Sequence, residues 1–196
     1  MKNDIGMKND IILAGVGGQG ILSIAAVVGL AAVDKGLYLK QSEVHGMSQR
    51  GGDVQSHLRI SDSQISSDLI PYGGADLIIS VEPMEALRYL PWLKKDGWIV
   101  SNSTPFVNIP DYPDINSILD EFRKIEKSIV VDADNMAKEA GSVRSGNMVV
   151  LGAASKYIDI PFDSLCDAVR KLFGRKGEEI VSVNIKALEA GRSCCL

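Results

Sequence analysis

The sequence predicts an α/β protein: a mostly parallel sheet with helices on both faces and a C-terminal helical segment. Three observations carry this reading. Short apolar runs alternate with stretches of helical spacing, a glycine-rich loop joins the first strand to the first helix, and the chain from Asn147 onward has helical spacing only. Strands that alternate with helices pair in parallel and are covered on both faces. The 196 residues suit one domain, since domains usually run roughly 50–250 residues. They can bury a core without metal or disulfide staples.

Each element has its own signal. Asp10–Ala14 is a short apolar strand, and Gly18–Asp34 is a helix stopped by Gly36. Leu37–Ser42 is a second strand, and Glu43–Gly52 is a polar, glycine-bearing loop. Asp53–Ile60 alternates, with Val54, Leu58 and Ile60 against Asp53, Gln55, His57 and Arg59. Period two marks a half-buried strand. Ala75–Val81 is a continuous apolar run bounded by turns, the form of a buried parallel strand. Glu82–Lys95 is a helix, bent or interrupted near Pro91. Gly97–Ser101 is another buried strand, and Asp114–Glu126 is a helix by the spacing of Ile115, Ile118, Leu119, Phe122 and Ile125. Ser128–Val131 is a strand and Asp132–Ala140 a short helix. Three helices close the chain, at Met148–Tyr157, Phe162–Phe173 and Glu178–Ala190. The order is βαββ, then βαβαβ, then helices, the pattern of a mostly parallel sheet covered on both faces.

Composition excludes several classes. Hydrophobic residues make up 45%, charged residues 23%, and net charge is -4. A nucleic-acid binder would show a basic face. Three Cys, at 166, 194 and 195, cannot form a disulfide framework, and no CxxC pair offers a zinc or iron–sulfur site. With two His, a multi-histidine metal site is not expected either. A reducing, cytoplasmic location fits. Ile11–Val33 carries no charge and is long enough to cross a bilayer or to form a signal-peptide core. Both readings fail, because the run breaks at Gly15–Gly20 and acidic Asp4 and Asp10 precede it. Met-Lys-Asn-Asp-Ile occurs at 1–5 and again at 7–11. Residues 1–9 are expected to be disordered or extraneous, and 10–191 to form a single domain.

Gly15-Val16-Gly17-Gly18-Gln19-Gly20 fits G-x-G-x-x-G in its required strand–loop–helix context. Glycine lets the backbone approach a ligand, and the helix N-terminus offers free N–H groups and a positive dipole end. A pyrophosphate suits such a loop, and so does tight βα packing with no ligand. A dinucleotide would also want an acidic residue after the second strand to hold its ribose. Glu43 is the candidate, although a loop and a strand follow where a dinucleotide fold would have a helix. A coenzyme A pyrophosphate is chemically as acceptable.

Gln41–Gly52 gathers a carboxylate, an imidazole, an amide and a guanidinium beside three glycines. It lies at a strand's C-terminal end, where open α/β sheets bind ligands. Gly-Val-Gly-Gly-Gln-Gly at 15–20 followed by Glu-Val-His-Gly-Met-Ser-Gln-Arg-Gly-Gly at 43–52 resembles the gamma-type domain of 2-oxoacid (pyruvate/ketoisovalerate):ferredoxin oxidoreductases. Further segments agree: Ser56–Arg59, Ala75–Ile78, Glu82–Arg88, and Asn147 followed by Leu151-Gly152-Ala153. The resemblance covers about residues 8–190.

The resemblance implies a Rossmann- or flavodoxin-like domain that packs on a larger subunit. That subunit holds thiamine diphosphate and [4Fe-4S] clusters, decarboxylates a 2-oxo acid and passes electrons to ferredoxin. Coenzyme A takes the acyl group, and the gamma-type domain is associated with its binding. This chain has no Gly-Asp-Gly motif followed by Asn-Asn for thiamine diphosphate, so it holds no complete catalytic set. The wording at 45–52 favours the indolepyruvate branch over the pyruvate and 2-oxoglutarate branches. Gly15, Gly17, Gly18, Gln19 and Gly20 would cradle a phosphate by backbone N–H groups. Arg50 would pair with a phosphate or a partner's acid, or else with Glu43. Gly51 and Gly52 would allow close approach, and Glu43, His45, Met47 and Gln49 would face the large subunit. Asn147 would cap a helix or touch the ligand. Cys166 and the set Met84, Leu87 and Leu90 read as core, and no function is placed on Cys194 and Cys195. Expressed without its partner, such a chain can pair with itself through the same surface. The competing reading is a stand-alone nucleotide- or NAD(P)-binding module.

Overall fold

A computed structural model describes residues 6–45 and 51–194 of the chain. In chain order the elements are β1 (Lys8–Val16), α1 (Ile21–Asp34), β2 (Tyr38–His45), β3 (Asp53–Ser61), β4 (Ala75–Ser80), α2 (Pro83–Arg88) and β5 (Leu93–Asn102). They continue as α3 (Ile115–Arg123), β6 (Ser128–Val131), α4 (Ala133–Ala140), α5 (Gly146–Ala154), α6 (Phe162–Phe173) and α7 (Glu178–Ser193). The six strands lie in the order β2-β3-β1-β4-β5-β6. β1, β4, β5 and β6 pair in parallel. β3 runs antiparallel between β1 and β2. The predicted fold class therefore holds, with one reversed strand.

From Ile11 to Val16 β1 reads as an unbroken apolar run because both of its faces are covered. It starts earlier than expected, since Lys8 pairs with Ser61 and Asn9 with Ile60, so these two residues belong to the sheet rather than to a disordered N-terminus. Ile11 and Leu13 join a core with α1, α4, α5, α6 and α7. Ile12 and Ala14 join a second core with Ala86 of α2, Tyr89, and Ile118 and Phe122 of α3. The charge-free stretch 11–33 is thus β1 and α1, and no described helix is long and apolar enough to cross a membrane. α5 is buried from Met148 to Ala154, so its sequence shows no polar face. It meets α7 where a Cβ on Gly152 would lie 2.0 Å from the Leu188 carbonyl oxygen and one on Gly191 1.9 Å from that of Val149. The two helices touch backbone to backbone.

Ser128–Val131 and Phe162–Phe173 fall where the spacing put them, and Cys166 is buried in the core. Other boundaries differ for physical reasons. The predicted helix Glu82–Lys95 ends at Arg88, a 3₁₀ turn follows at Leu90–Trp92, and Leu93–Lys95 already belong to β5. Pro91 has no N–H to extend a helix, and Leu93 pairs with Ala75 instead. β2 continues through Glu43 to His45, because Glu43 pairs with Ser56 and His45 with Val54. Glu43 is therefore a strand residue rather than the start of a loop. α1 begins at Ile21 rather than Gly18, since Gly18 (φ +102°) and Gly20 (φ +82°) hold non-helical backbone. The predicted helix Met148–Tyr157 is α5 from Gly146 to Ala154 plus a 3₁₀ turn at Ser155–Tyr157.

Two polar groups of β3 hold down the connection to β4. His57, 4% exposed, accepts the Ile70 N–H on Nδ1 at 3.0 Å. Arg59 forks onto Asp10 at 2.7 and 3.1 Å and donates to the carbonyls of Ser67 and Leu69, each at 3.0 Å. Burial alone would raise the Asp10 carboxyl, but hydrogen bonds and charge from Arg59 and Lys8 hold it below its ordinary value. For His57, burial pulls the imidazole below its usual value and Arg59 adds to the pull, against a smaller opposing push from Asp68.

Two outcomes follow. Gly191→Ala forces a methyl into the Val149 carbonyl and costs roughly 1–3 kcal/mol or more in urea unfolding. The folded chain also binds fewer protons at His57 than the unfolded chain, whose histidine titrates near about 6.5. The stability His57 contributes is full above that value and declines as pH falls below it. Urea midpoints at pH of about 7.5 and 5.5 should therefore separate more for the native chain than for His57→Asn, whose side-chain oxygen can accept the same bond without titrating.

Candidate functional site

The C-terminal ends of β1 and β4 are neighbours, yet α1 and α2 leave them toward opposite faces. Ligands of open α/β sheets bind at such a switch point. A cleft of about 900 Å³ opens there, within the usual range for small-molecule sites. Its floor includes Val81 and Asn102 at the ends of β4 and β5, and one wall is Gly18–Gly20 with the first turn of α1. The opposite wall comes from residues 141–147 and the junction of α6 with α7. Asn102, 5% exposed, fixes the floor. Its Oδ1 accepts the Ala133 N–H at 3.0 Å, and its Nδ2 donates to Asp134 at 3.3 Å.

The glycine loop divides its labour. Gly15 lies inside β1, where a Cβ would sit 2.5 Å from Val81 and 2.9 Å from Ile21. It permits strand–helix packing. Gly17 donates its N–H to the Gly52 carbonyl at 2.9 Å, and Gln19 donates its own to the Val16 carbonyl at 3.2 Å. The Gln19 side chain accepts the Val16 N–H at 2.8 Å and donates to the Val81 carbonyl at 3.4 Å. Gln19 thus closes the loop onto β1 and β4 with its own groups. Gly18 and Gly20 remain. Among the described residues, their N–H groups donate to no protein acceptor. Gly18 has nothing within 4 Å of the place a Cβ would take. Of the amides predicted to cradle a phosphate, Gly17 and Gln19 are engaged internally, and Gly18 and Gly20 face the cleft.

Asn147 lies in the first turn of α5 and on the cleft wall. Its Nδ2 donates to the Gly20 carbonyl at 3.0 Å. It ties the start of α5 to the start of α1; Ser145 holds the cap position of α5, so Asn147 is not the cap the sequence suggested. Gly51 (φ +80°) offers its carbonyl to Asn108 Nδ2 at 2.6 Å, so Gly51 and Gly52 connect two loops at this end of the sheet. His45 closes β2, and its side chain together with Met47, Gln49 and Arg50 lies outside the described residues. Glu43 does not join the cleft. It lies on β2, and β3 separates β2 from β1. Two strand spacings, about 9–10 Å, stand between it and the glycine loop.

Sequence reasoning missed the cleft's cations. Arg144 and Lys176 line it and pair with no described carboxylate; Lys176 sits 5.3 Å above the Phe173 ring. Asp134 and Glu179 are its acidic members, and Val143 (63% exposed) and Ile180 (42%) make an apolar rim. The signal was weak: Gly174-Arg175-Lys176-Gly177 is a basic turn bracketed by glycines, some 155 positions from the loop it faces. Free amides, two cations and an apolar rim suit a ligand with phosphate and ring or alkyl parts. Among the described residues, no group of His, Cys, Asp and Glu is placed to hold a metal.

The family model for pyruvate ferredoxin/flavodoxin oxidoreductase matches residues 10–194. The indolepyruvate oxidoreductase subunit IorB of Archaeoglobus fulgidus is 38% identical over 194 residues, covering 94% of each chain. The 2-oxoglutarate:ferredoxin oxidoreductase of Magnetococcus marinus, solved with 2-oxoglutarate, coenzyme A and succinyl-CoA bound, has a similar fold. The TM-score is 0.76 at 24% identity, over 96% of this chain and 31% of that one. The gamma subunit of a keto/oxoacid ferredoxin oxidoreductase from Geobacter sulfurreducens superposes with a TM-score of 0.69 at 23% identity, over 95% of this chain and 98% of that one.

The loop geometry sets an order of costs. Gly18→Ala meets only the left-handed backbone penalty, about 1–2 kcal/mol. Gly20→Ala carries that penalty and also places a Cβ 2.6 Å from Asn147 Nδ2. Chemical unfolding should show Gly20→Ala as the more damaging, and adding Asn147→Ala should recover part of the difference.

Proposed function

This chain belongs to the pyruvate ferredoxin/flavodoxin oxidoreductase family, and from that premise we propose that it helps a thiamine diphosphate-bearing large subunit bind coenzyme A. It is a non-autonomous subunit of a 2-oxoacid:ferredoxin oxidoreductase. In the proposed complex the large subunit holds thiamine diphosphate and [4Fe-4S] clusters, decarboxylates an arylpyruvate such as indolepyruvate and delivers electrons to ferredoxin. The complex works in the cytoplasm.

One observation carries the reading. The cleft at the switch point is lined by Gly18 and Gly20, whose amides have no protein acceptor among the described residues, and by Arg144 and Lys176. Coenzyme A presents a diphosphate, a further phosphate, a purine and an alkyl arm. Amides at a helix start suit the diphosphate, guanidinium and ammonium suit phosphate charge, and Val143 and Ile180 suit an apolar part. Arg50, Gly51 and Gly52, on the segment that reaches Gly17, are proposed to complete the ligand side. Glu43 and His45 on β2, with Gln49, are proposed to face the large subunit. The NAD(P) alternative loses its ribose partner, because Glu43 lies two strands from the glycine loop.

The test is reconstitution with the large subunit from the same source, purified without oxygen and assayed by dye reduction. Indolepyruvate, phenylpyruvate, pyruvate and 2-oxoglutarate are supplied in turn, with and without coenzyme A. Activity should need both chains and coenzyme A and be greatest with an arylpyruvate. Arg144→Ala and Lys176→Ala should each raise the KM for coenzyme A about tenfold, the loss of one charge-assisted contact of roughly 1.4 kcal/mol, with kcat little changed. An unchanged KM in both variants would remove the cleft from coenzyme A binding.

A further inference from the structure

The segment 103–113 leaves β5 and crosses the C-terminal end of the sheet before α3 begins. Three of its side chains face water: Phe106 is 41% exposed, Val107 69% and Ile109 43%. Single exposed apolar residues are ordinary, but a contiguous group of large ones marks a contact surface.

This segment is also firmly held. Glu82, 0% exposed, caps α2 by accepting the Glu85 N–H at 2.8 Å. Its other carboxylate oxygen accepts the Phe106 N–H at 3.3 Å and the Tyr112 hydroxyl in a short hydrogen bond. Asn108 donates to the Gly51 carbonyl at 2.6 Å, and the adjoining Gly52 carbonyl takes the Gly17 N–H. A buried carboxylate is costly to desolvate and is kept where its hydrogen bonds fix something. Here they fix a loop whose apolar side chains point outward. The same bonds couple it to the polar loop beside the glycine turn.

We propose that segment 103–113 is a docking arm, with Phe106, Val107 and Ile109 seated in an apolar, basic-rimmed groove of the large subunit. This rests on the proposed function. Asp111 is the segment's one charge, which calls for a basic rim on the partner. A second copy fits less well, because a twofold contact would bring two Asp111 residues into one patch with no cation in the segment to face them. A longer chain of this fold, from Magnetococcus marinus, carries it as 31% of its length, so the fold occurs set against further polypeptide.

Association of the purified chain with the large subunit from the same source is measured for the native chain and for Val107→Asp and Phe106→Ser/Ile109→Ser. Affinity should fall about a hundredfold, while the melting temperature of the isolated variants stays level or rises, since the replaced groups face water. Asp111→Lys should also weaken association, most strongly at low salt. Hydrogen exchange on the native complex should show new protection over 103–113. Affinities within about threefold of native, or no new protection, would overturn the docking arm and leave the subunit reading standing. Failure of the native chain to bind any large subunit would overturn both. Variants that split a homodimer of this chain yet still bind the large subunit would assign the patch to a second copy and overturn the proposal.

Discussion

Where α5 lies against α7, the backbones approach so closely that neither Gly152 nor Gly191 has room for a Cβ. Much of the molecule follows from that contact. α5 packs against the sheet with almost no polar side chain of its own, so its position is set by neighbours rather than by an amphipathic stripe. With α7 drawn onto α5, the junction of α6 and α7 carries Lys176, Glu179 and Asn184 to the rim of the cleft. At the other end of α5, Asn147 reaches Gly20 and fixes the first turn of α1. One backbone contact thus spaces both walls of the site.

The glycine loop shows how a familiar pattern is shared between folding and binding. Gly15, Gly17 and Gln19 are taken up by strand packing and by loop closure onto Val16, Gly52 and Val81. Gly18 and Gly20 line the cleft, and among the described residues their amides meet no protein acceptor. A loop with five free donors would carry several unsatisfied groups before ligand arrived. A loop that satisfies most of them internally keeps its shape, so less ordering accompanies binding.

Buried charge serves position here. Arg59 clamps Asp10 and two carbonyls of the β3–β4 connection, and His57 holds Ile70 on the same connection. Glu82 holds the segment after β5 and the start of α2. The Ser56–Arg59 and Glu82–Arg88 segments that carried the family resemblance owe at least part of their chemistry to these ties. Ion pairs of this kind contribute little net stability when desolvation is counted. They decide which loop conformation is occupied, and so where the C-terminal end of the sheet can meet a ligand or a subunit.

The sequence by itself determined the fold class, the strand–loop–helix placing of the glycine motif and the helical tail, because each rests on local periodicity and on residues close in the chain. Ser128–Val131 and Phe162–Phe173 were legible to the residue for that reason. Tertiary structure decided the rest. Pro91 lies where helix yields to strand, and only the pairing of Leu93 with Ala75 shows that Leu93–Lys95 extend β5. Glu43 reads as a ribose ligand until β3 is seen to lie between β2 and β1. Lys176 and Gly18 share a cleft although they stand 158 positions apart, and nothing in the spacing of either reveals the other. Local patterns record what a residue does to its own stretch of backbone. Which distant groups share a site depends on how the helices stack, and here that is set by a glycine pair whose significance appears only when the two backbones meet.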